Sequence, residues 1–207
     1  MTVWRLDWHL EQARGKQTVQ LPGGKDHSRY RRTLSRGGSG FSENLRIALR
    51  KTAVNVALLT TRDRAGQYHG LAVTTAVPFA TNRPAIIVAV KHNASAYPAI
   101  RDSGYFCINQ ITSDEIDLLD RFTRSDLRAS RFTSGLWKAG LNGLPYLESA
   151  TTSFFCDVQG AHAHEDQTVL IGRINGVRLG DDPCRRERDP LIWINGKAAR
   201  LAGGEYA

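Results

Sequence analysis

The apolar positions of the chain form short runs with the spacing of β-strands, separated by turn residues. Residues 54–61 and 68–77 flank a turn that contains Gly66, which predicts a hairpin whose second strand ends at Pro78. Residues 85–90 form a continuous run rich in branched side chains, as expected of a strand covered on both faces. Further strands are predicted at 105–111, 151–159, 167–179 and 190–195.

Helical spacing is confined to three short segments. Ser42 is predicted to cap the first helix, residues 95–102 form the second, and Ser113 opens the third. The mixed pattern of residues 121–142 predicts a long loop with short helical pieces, a candidate lid over a binding site. Antiparallel strands with few helices favour a closed β-barrel, because closure removes exposed strand edges, although a Greek-key sandwich fits the strand count equally well.

The formal charge is concentrated in the first 40 residues. This segment has eight basic and three acidic side chains, so it carries +5 of the formal net charge of +8. It lacks a sustained apolar period and ends in the glycine-rich stretch 37–40. We therefore interpret residues 1–40 as a basic, flexible N-terminal extension and residues 41–207 as the folded domain.

Several other classes of protein fit this sequence poorly. Only Trp4, Trp8 and Tyr30 interleave with the basic residues of the extension, so nucleic acid is a poor candidate for a partner. Arg31-Arg32 is followed by glycines and not by the apolar run of an export signal. No window approaches the roughly 18 apolar residues of a membrane span, so we expect a soluble, cytoplasmic protein.

The three cysteines predict no metal site and no disulfide framework, because they are an odd number without Cys-x-x-Cys spacing. Cys107 and Cys156 fall within apolar strand patterns and are expected to be small buried core residues. Cys184 follows a loop-like Gly-Asp-Asp-Pro sequence, which favours incidental exposure over a reactive role.

Two clusters of small and hydroxyl-bearing residues accompany the apolar strands, and clusters of this kind hold phosphates and flavin rings. In the first, residues 69–76, small side chains leave room for a flat ligand beside hydroxyls and backbone N–H groups. In the second, residues 91–95, a cation, an amide and a hydroxyl open a helical turn, whose first N–H groups lack internal partners. The second cluster is therefore a candidate anion site.

Further motifs extend this pattern along the chain. They are Thr60-Thr61 at the end of a valine-containing strand, Gly70 to Ala76, YFCIN at 105–109, GLPYL at 143–147, IGRI at 171–174 and DPLIW at 189–193. In order and spacing they resemble the flavin reductase family, the small components of two-component flavin-dependent monooxygenases, and most of all its phenol and 4-hydroxyphenylacetate hydroxylase reductases. The resemblance runs from about Phe41 to Leu201.

The resemblance implies a mainly β fold, the FMN-binding split β-barrel with a few short flanking helices, in a homodimer that binds flavin near the subunit interface. It also implies an NAD(P)H-dependent flavin reductase that binds FMN or FAD, oxidises NADH or NADPH and supplies reduced flavin to a partner monooxygenase. Because the flavin performs the redox step, no catalytic triad is expected. The chain has no ribose-reading fingerprint that would choose between these cofactors.

By the same resemblance, the first cluster lies along the isoalloxazine ring and ribityl chain, and the second lies beside the flavin phosphate. The cofactor-binding residues assigned in this way are Ala72, Val73, Thr74, Thr75, Ala76, Ala89, Val90, Lys91, Asn93, Ser95 and Ala96. Lys91 has an equally good structural interpretation as an exposed strand-end lysine, and Ser95 is also a natural helix cap. His69 is interpreted as strand surface.

Two departures from the family pattern affect the nicotinamide pocket. Gln167 stands where many relatives have a histidine, and glutamine forms hydrogen bonds but carries no positive charge. His162 and His164 are close enough in sequence to compensate, but we predict that they are exposed residues of the preceding loop. Ala198 replaces an aromatic residue of the family. No catalytic residue is therefore assigned, and two alternatives stay open: a flavin-binding electron carrier, or a flavoenzyme acting on another substrate without direct nicotinamide oxidation.

Overall fold

The computed structural model describes residues 39–79, 82–133, 136–182, 184 and 188–199. The chain divides into two compact units, Met1–Asn44 and Leu45–Ala207, and every described strand belongs to the second. The basic extension predicted for residues 1–40 lies outside the described residues except for the backbone of residues 39 and 40. The division into an extension and a flavin-binding domain stays a prediction.

Strands dominate the second unit, and all of their pairings are antiparallel. The strands are β1 (Val54–Asn55), β2 (Ala57–Arg62), β3 (Tyr68–Val73), β4 (Val77–Phe79), β5 (Ala85–Lys91), β6 (Tyr105–Gln110), β7 (Trp137–Ala139), β8 (Pro145–Leu147), β9 (Thr152–His164), β10 (Gln167–Leu179), β11 (Ile192–Ile194) and β12 (Lys197–Ala199).

The helices are short. They are α1 (Ser39–Arg50), α2 (Tyr97–Ser103) and α3 (Ile116–Thr123), with 3₁₀ turns at Ser113–Glu115, Arg128–Ser130 and Leu141–Gly143. Among the described residues, no helix has both the length and the apolar character needed to cross a membrane.

Seven strands form one sheet in the order β3-β2-β6-β9-β10-β5-β4. Its two edge strands, β3 and β4, are consecutive in the chain, and only residues 74–76 separate them. The edges therefore meet, and Thr75 between them bonds to Ala89 on β5. A sheet whose first and last strands are neighbours curls into a barrel, which confirms the predicted β-barrel.

Alternate residues of each strand fill the barrel interior, as the pleat of a β-strand requires. The interior side chains include Ala57, Leu59, Ile86, Val88, Val90, Phe106 and Ile108. Gly172 on β10 lies against the Phe106 ring, where an added methyl side chain would come within 2.7 Å of ring atom Cε1. Close packing therefore requires glycine at this point of the barrel wall.

A second core cluster lies where α3 covers the other side of β2 and β3. Phe122 of α3 and Leu58 of β2 are buried in it. Thr112 begins this helical segment with a capping box: its hydroxyl accepts a hydrogen bond from the Asp114 N–H at 3.2 Å, and the Glu115 carboxylate accepts one from the Thr112 N–H at 2.9 Å. The third predicted helix is therefore confirmed.

Two predicted boundaries were wrong. The predicted strand 68–77 is broken, because the chain leaves one edge strand of the barrel at Val73 and enters the other at Val77. Helix α1 begins at Ser39, so Ser42 lies inside the helix and does not cap it. Strand β12 was not predicted at all, since its three residues carry no apolar alternation and depend on pairing with β11.

Two further corrections bear on the candidate site. The N-cap of α2 is Ala96, and Ser95 therefore neither opens nor caps that helix. His162 and His164 belong to the end of strand β9 and not to a loop, because β9 continues its pairing with β10 up to the tight turn at residues 165 and 166.

Candidate functional site

The two predicted clusters meet because the connection from β3 to β4 runs along β5. The Thr75 hydroxyl accepts a hydrogen bond from the Ala89 N–H at 3.0 Å and donates one to the Ala89 carbonyl at 3.3 Å. Ala89 lies two residues before Lys91, where β5 ends and the second cluster begins. The structure therefore places the end of the first cluster against the strand that leads into the second.

The side chains of the predicted residues divide into two groups. Those buried in the core are Val73, Ala76, Val90 and Ala96. Those exposed or half-buried are Ala72, Thr74, Thr75, Ala89, Lys91, Asn93 and Ser95. The buried group can therefore present only backbone N–H and carbonyl groups to a ligand, and the second group supplies all the side-chain chemistry.

A row of polar side chains crosses three strands where β5 ends. Lys91 pairs with Gln167 on β10, and Gln167 pairs with His164 on β9. Directly paired residues of antiparallel strands point to the same face, with Cβ atoms about 4.5–5.5 Å apart. Lys91, Gln167 and His164 therefore form one continuous row, and His162 follows on the same face two residues away.

His92 lies on the opposite face of these strands. Its ring atom Nε2 is 2.9 Å from the hydroxyl oxygen of Thr168, and the hydroxyl of Tyr97 is 3.0 Å from the same oxygen. Because successive residues of a strand point to opposite faces, the buried Thr168 faces away from Gln167. His92 therefore holds the turn after β5 and does not join the row that contains Lys91.

Ser95 is joined to a buried arginine from the segment after α3. Arg131 Nη1 donates to the Ser95 hydroxyl oxygen at 3.3 Å and to the Gly70 carbonyl at 2.6 Å. Gly70 belongs to the first cluster and Ser95 to the second, so one guanidinium contacts both. Sequence reasoning missed Arg131, because it is one of several basic residues in a segment without a regular pattern.

The predicted lid is described at residues 121–133 and 136–142, and its Phe122 and Phe132 pack against β3 beside these clusters. The ring centroid of Phe132 is 5.5 Å from that of Phe122 and 4.9 Å from that of Trp137. Gly70 lies directly beneath Phe122, where an added Cβ would approach ring atom Cε1 to 2.6 Å. The short helical pieces predicted for this segment are present, together with the small hairpin of β7 and β8.

His69 acts on the turn between β2 and β3. Its Nε2 lies 2.9 Å from the Asp63 carboxylate, which also accepts a hydrogen bond from the Gln67 N–H at 2.8 Å. The hydrogen bond with His69 holds the pKa of Asp63 below its usual value. His69 therefore stabilises the hairpin turn, which agrees with its interpretation as strand surface.

A cavity of about 550 Å³ lies apart from the predicted flavin residues. Thr112, Asp114, Arg188 and Pro190 are among the residues that line it, and an ion pair joins Arg188 to Asp114. None of the predicted cofactor-binding residues lines this cavity. Its volume therefore gives no reason to place a flavin there.

The residues of the two clusters fit a flavin. Ala72 and Ala89 are small and half-buried, which leaves space for a flat ring beside the exposed side chain of Thr74. The exposed amine of Lys91 and the buried guanidinium of Arg131 supply positive charge for an anionic tail. Apolar space suits the flat ring of a flavin, and positive charge suits its phosphate, so the residues present fit this group.

Comparison with known proteins also indicates a flavin-binding family. Residues 49–202 match the family described as Flavin reductase like domain. The chain is similar to FMN reductase (NADH) RutF of Agrobacterium fabrum, with 30% identity over 143 residues, 68% of this chain and 82% of the relative. It is similar to actinorhodin polyketide dimerase of Streptomyces coelicolor, with 27% identity over 163 residues, 79% and 88% of the two chains. It is also similar to the reductase component of the FADH(2)-dependent resorcinol hydroxylase of Rhizobium sp., with 27% identity over 167 residues, 79% and 90% of the two chains.

The fold is shared with solved structures. The crystal structure of a flavin reductase domain protein from Arthrobacter sp. FB24 superposes with a TM-score of 0.71, covering 80% of this chain and 99% of that chain. The two sequences are 21% identical, so this likeness concerns the fold alone. The predicted split β-barrel is confirmed.

Proposed function

Because the chain belongs to the Flavin reductase like domain family, we propose that it is an NAD(P)H-dependent flavin reductase. It binds FMN or FAD, oxidises NADH or NADPH and supplies reduced flavin to a partner monooxygenase, as the names of its relatives indicate. The observation that carries this proposal is the pair of hydrogen bonds between Thr75 and Ala89, which fixes the end of the first cluster on the strand that leads into the second.

Each cluster has its own part in binding. The flavin ring lies against the small side chains of Ala72 and Ala89, beside the exposed Thr74. The other proposed contacts to ring and ribityl chain are Val73, Thr75, Ala76 and Val90, and those to the phosphate are Lys91, Asn93, Ser95 and Ala96. Buried members of this set contribute backbone groups, since their side chains fill the barrel core.

The bound flavin supplies the hydride acceptor, and the chain's own residues orient the ligands and provide charge. Lys91 and Gln167 are paired neighbours on one face, so a positive charge and a neutral amide stand together. Gln167 donates and accepts hydrogen bonds where the family has an imidazole, and His164 beside it restores an imidazole to the same face.

The test is anaerobic mixing of the purified protein with NADH or NADPH and free FMN or FAD, followed by flavin absorbance. Bleaching of many equivalents of flavin per chain is expected and establishes turnover. Tight binding of flavin without bleaching by either nicotinamide would instead favour a flavin-binding electron carrier. That alternative is consistent with Gln167 and Ala198, which replace family residues of the nicotinamide pocket. Turnover with one flavin and one nicotinamide also identifies the cofactor pair.

We propose a homodimer, supported by an exposed row of aliphatic side chains across β4, β5 and β10. Val77 pairs with Ile87, and Ile87 pairs with Ile171. These side chains are 57%, 38% and 40% exposed in the single chain. A contiguous apolar row on one sheet face is the kind of surface that a second subunit covers.

The proposed flavin-binding domain is residues 41–207, with residues 1–40 as an accessory extension. Removing residues 1–40 tests this division: flavin turnover that survives supports it, and loss of flavin binding in a folded variant contradicts it. We also propose a cytoplasmic location, supported by the free thiols of Cys107, Cys156 and Cys184, which a reducing compartment maintains.

A further inference from the structure

Another cavity, of about 420 Å³, lies where three turns of the chain meet. They are the turn between β2 and β3, the turn between α2 and β6, and the 3₁₀ turn Leu141–Gly143. The cavity is large enough for a small molecule. None of the residues proposed to bind flavin lines it, so it is separate from the candidate flavin site.

The two acidic side chains that line this cavity already have partners. The Asp63 carboxylate lies 2.9 Å from Nε2 of His69 and accepts a hydrogen bond from the Gln67 N–H at 2.8 Å. The Asp102 carboxylate forms an ion pair with Arg101 at 3.0 Å. Neither acid is paired with an arginine that lines the cavity.

Two arginines of the cavity wall therefore have no acidic partner. Among the described residues, Arg62 forms no hydrogen bond and no ion pair. Arg64 donates to a neutral oxygen, the carbonyl of Asp102, at 3.3 Å. Two guanidinium groups beside one cavity repel each other, and an anion bound between them would remove this repulsion. The planar guanidinium also matches the geometry of phosphate oxygens.

The guanidinium of Arg62 fits between two glycine turns. An added Cβ on Gly66 would come within 2.9 Å of its Nη2, and one on Gly143 within 2.6 Å of its Nη1. The positive φ angles of these glycines, +87° and +69°, also favour residues without a side chain. The charge of Arg62 is therefore positioned at the cavity before a ligand binds, which lowers the entropy cost of binding.

The cavity also offers an aromatic surface and free polar groups. Tyr105 is 38% exposed, so its ring is accessible to a ligand. Within the described part of the chain, neither the Tyr105 hydroxyl nor the Asn142 amide has a hydrogen-bond partner. Aromatic side chains bind nucleic-acid bases by stacking, whatever the base. An aromatic ring close to two arginines thus suits a ligand that combines a planar ring with a phosphate.

We propose that this cavity binds a phosphate monoester that carries an aromatic ring, the chemistry of a nucleoside monophosphate. Arg62 and Arg64 hold the phosphate, and the ring lies against Tyr105. The Asn142 amide is available to the polar edge of the base or to the sugar. This site goes beyond the proposed function, because it shares no residue with the candidate flavin site and flavin reduction does not use it.

The experiment is calorimetric titration of the full chain with AMP, adenosine or inorganic phosphate, without flavin or nicotinamide. AMP is expected to bind more tightly than either of its parts. Arg62→Gln and Arg64→Gln should each lower AMP affinity about tenfold. Tyr105→Leu should lower AMP affinity about tenfold and leave the affinity for inorganic phosphate nearly unchanged.

Lys91→Gln is the matched control, because it removes one positive charge at the candidate flavin site and none at this cavity. Its AMP affinity should equal that of wild type. A loss of affinity in Lys91→Gln but not in Arg62→Gln would assign AMP to the flavin site and overturn the proposal.

The remaining outcomes are equally decisive. Wild-type protein that binds no AMP overturns the proposal. Inorganic phosphate that binds as tightly as AMP overturns it as well, since the cavity would then be a general anion site. Because the titration contains no flavin, failure of this proposal leaves the flavin reductase function standing, and the reverse also holds. If one of the arginine variants does not fold, as judged by circular dichroism, the other arginine variant and Tyr105→Leu decide.

Discussion

Single residues of the site take their roles from the groups that lie opposite them. Ser95 has the sequence signature of a helix cap, but its hydroxyl bonds to Arg131 and the cap position belongs to Ala96. The local sequence around Gln167 does not show which residues it contacts, but strand pairing places it between Lys91 and His164. The type of a residue limits which interactions its side chain can make. The group that lies opposite it in the fold decides which of these interactions forms.

Thr75→Val tests the junction of the two clusters. Loss of the hydroxyl removes both hydrogen bonds to Ala89, so the connection after β3 loses its fixed position on β5. With a net value of about 1 kcal/mol for each hydrogen bond, we expect flavin affinity to fall roughly tenfold or more. Fluorescence titration measures this change. Thr75→Ser retains the hydroxyl and should bind like wild type, and unchanged affinity in Thr75→Val would count against this placement of the ring.

The three cysteines should differ sharply in reactivity. Burial raises the pKa of Cys156 to about 12 and that of Cys107 well above its usual range, whereas Cys184 is exposed. The thiolate is the reactive form, so near neutral pH we expect one fast-reacting thiol in the native chain and three after denaturation. Ellman's reagent counts them. Cys184→Ser should abolish native labelling, and rapid labelling that persists in this variant would contradict the burial of the other two thiols.

The same raised pKa values predict a pH dependence of stability. The folded chain holds the thiol protons of Cys107 and Cys156 to higher pH than the unfolded chain does. Their contribution to the free energy of unfolding is therefore complete below the ordinary thiol pKa near 9 and decreases as pH rises toward about 12. Denaturant titrations across this range should show falling stability, and a smaller fall is expected when Cys156 is replaced by Ala.

Among the elements, the hairpin of β9 and β10 connects the barrel core with the strand ends beside the candidate site. Both strands have 13 residues, and their pairing runs from the barrel core to the end that carries Gln167 and His164. Shifts of register occur between Ile171 and Gly172 and again before Gly176. Small residues and bulges bend these long strands around the barrel, so that one hairpin serves the core at one end and the candidate site at the other.

Gly172→Ala tests the packing of this hairpin against the core. The added methyl would come within 2.7 Å of Phe106 Cε1 and 3.0 Å of the Cys156 Cβ, and a buried aromatic ring has little room to move. We expect a loss of about 1–3 kcal/mol in the free energy of unfolding, measured by urea denaturation. Gly160→Ala on β9 is the control, because its methyl would meet Ile171 at an ordinary 3.5 Å. Equal stability of both variants would contradict the tight contact.

At the scale of the whole molecule, the barrel buries apolar side chains in its interior and leaves an apolar row on its outer face. The row across Val77, Ile87 and Ile171 lies on the same face of β5 and β10 as Lys91 and Gln167. A subunit that covered the row would therefore also approach the polar row at the end of β5. In the proposed dimer, the subunit interface and the candidate ligand-binding residues therefore share one face of the sheet.

Ile87→Glu should disrupt the proposed dimer, because it places a charge in the centre of the apolar row. Light scattering after gel filtration should give twice the chain mass of 22.9 kDa for wild type and the single chain mass for the variant. Val177→Glu replaces an equally apolar side chain that is 55% exposed outside the row, and it should remain dimeric. A wild-type chain that is monomeric would refute the proposal directly.

Much of the fold could be predicted because strand-forming runs, turns and helix caps depend on residues that are close together in the sequence. The strands 85–90 and 167–179 and the helix after Thr112 appear where their patterns placed them. The predicted element boundaries were wrong where pairing between distant segments sets them. Strand β3 ends at Val73, and β12 depends on its pairing with β11. The candidate site was predicted in part: the sequence indicated both clusters, but neither the row at Gln167 nor the link from Ser95 to Arg131 has a local signal.

The amino-acid sequence by itself determined the mainly β class, the family and the residue types available at the candidate flavin site. These properties follow from apolar periodicity and from motifs read along the chain. Only the tertiary structure decided which side chains are buried in the core, which strands pair, and which charge stands behind Ser95. The physical reason is range: hydropathy and turn preference act between neighbours in sequence, whereas strand register and the position of a buried guanidinium depend on contacts between segments tens of residues apart.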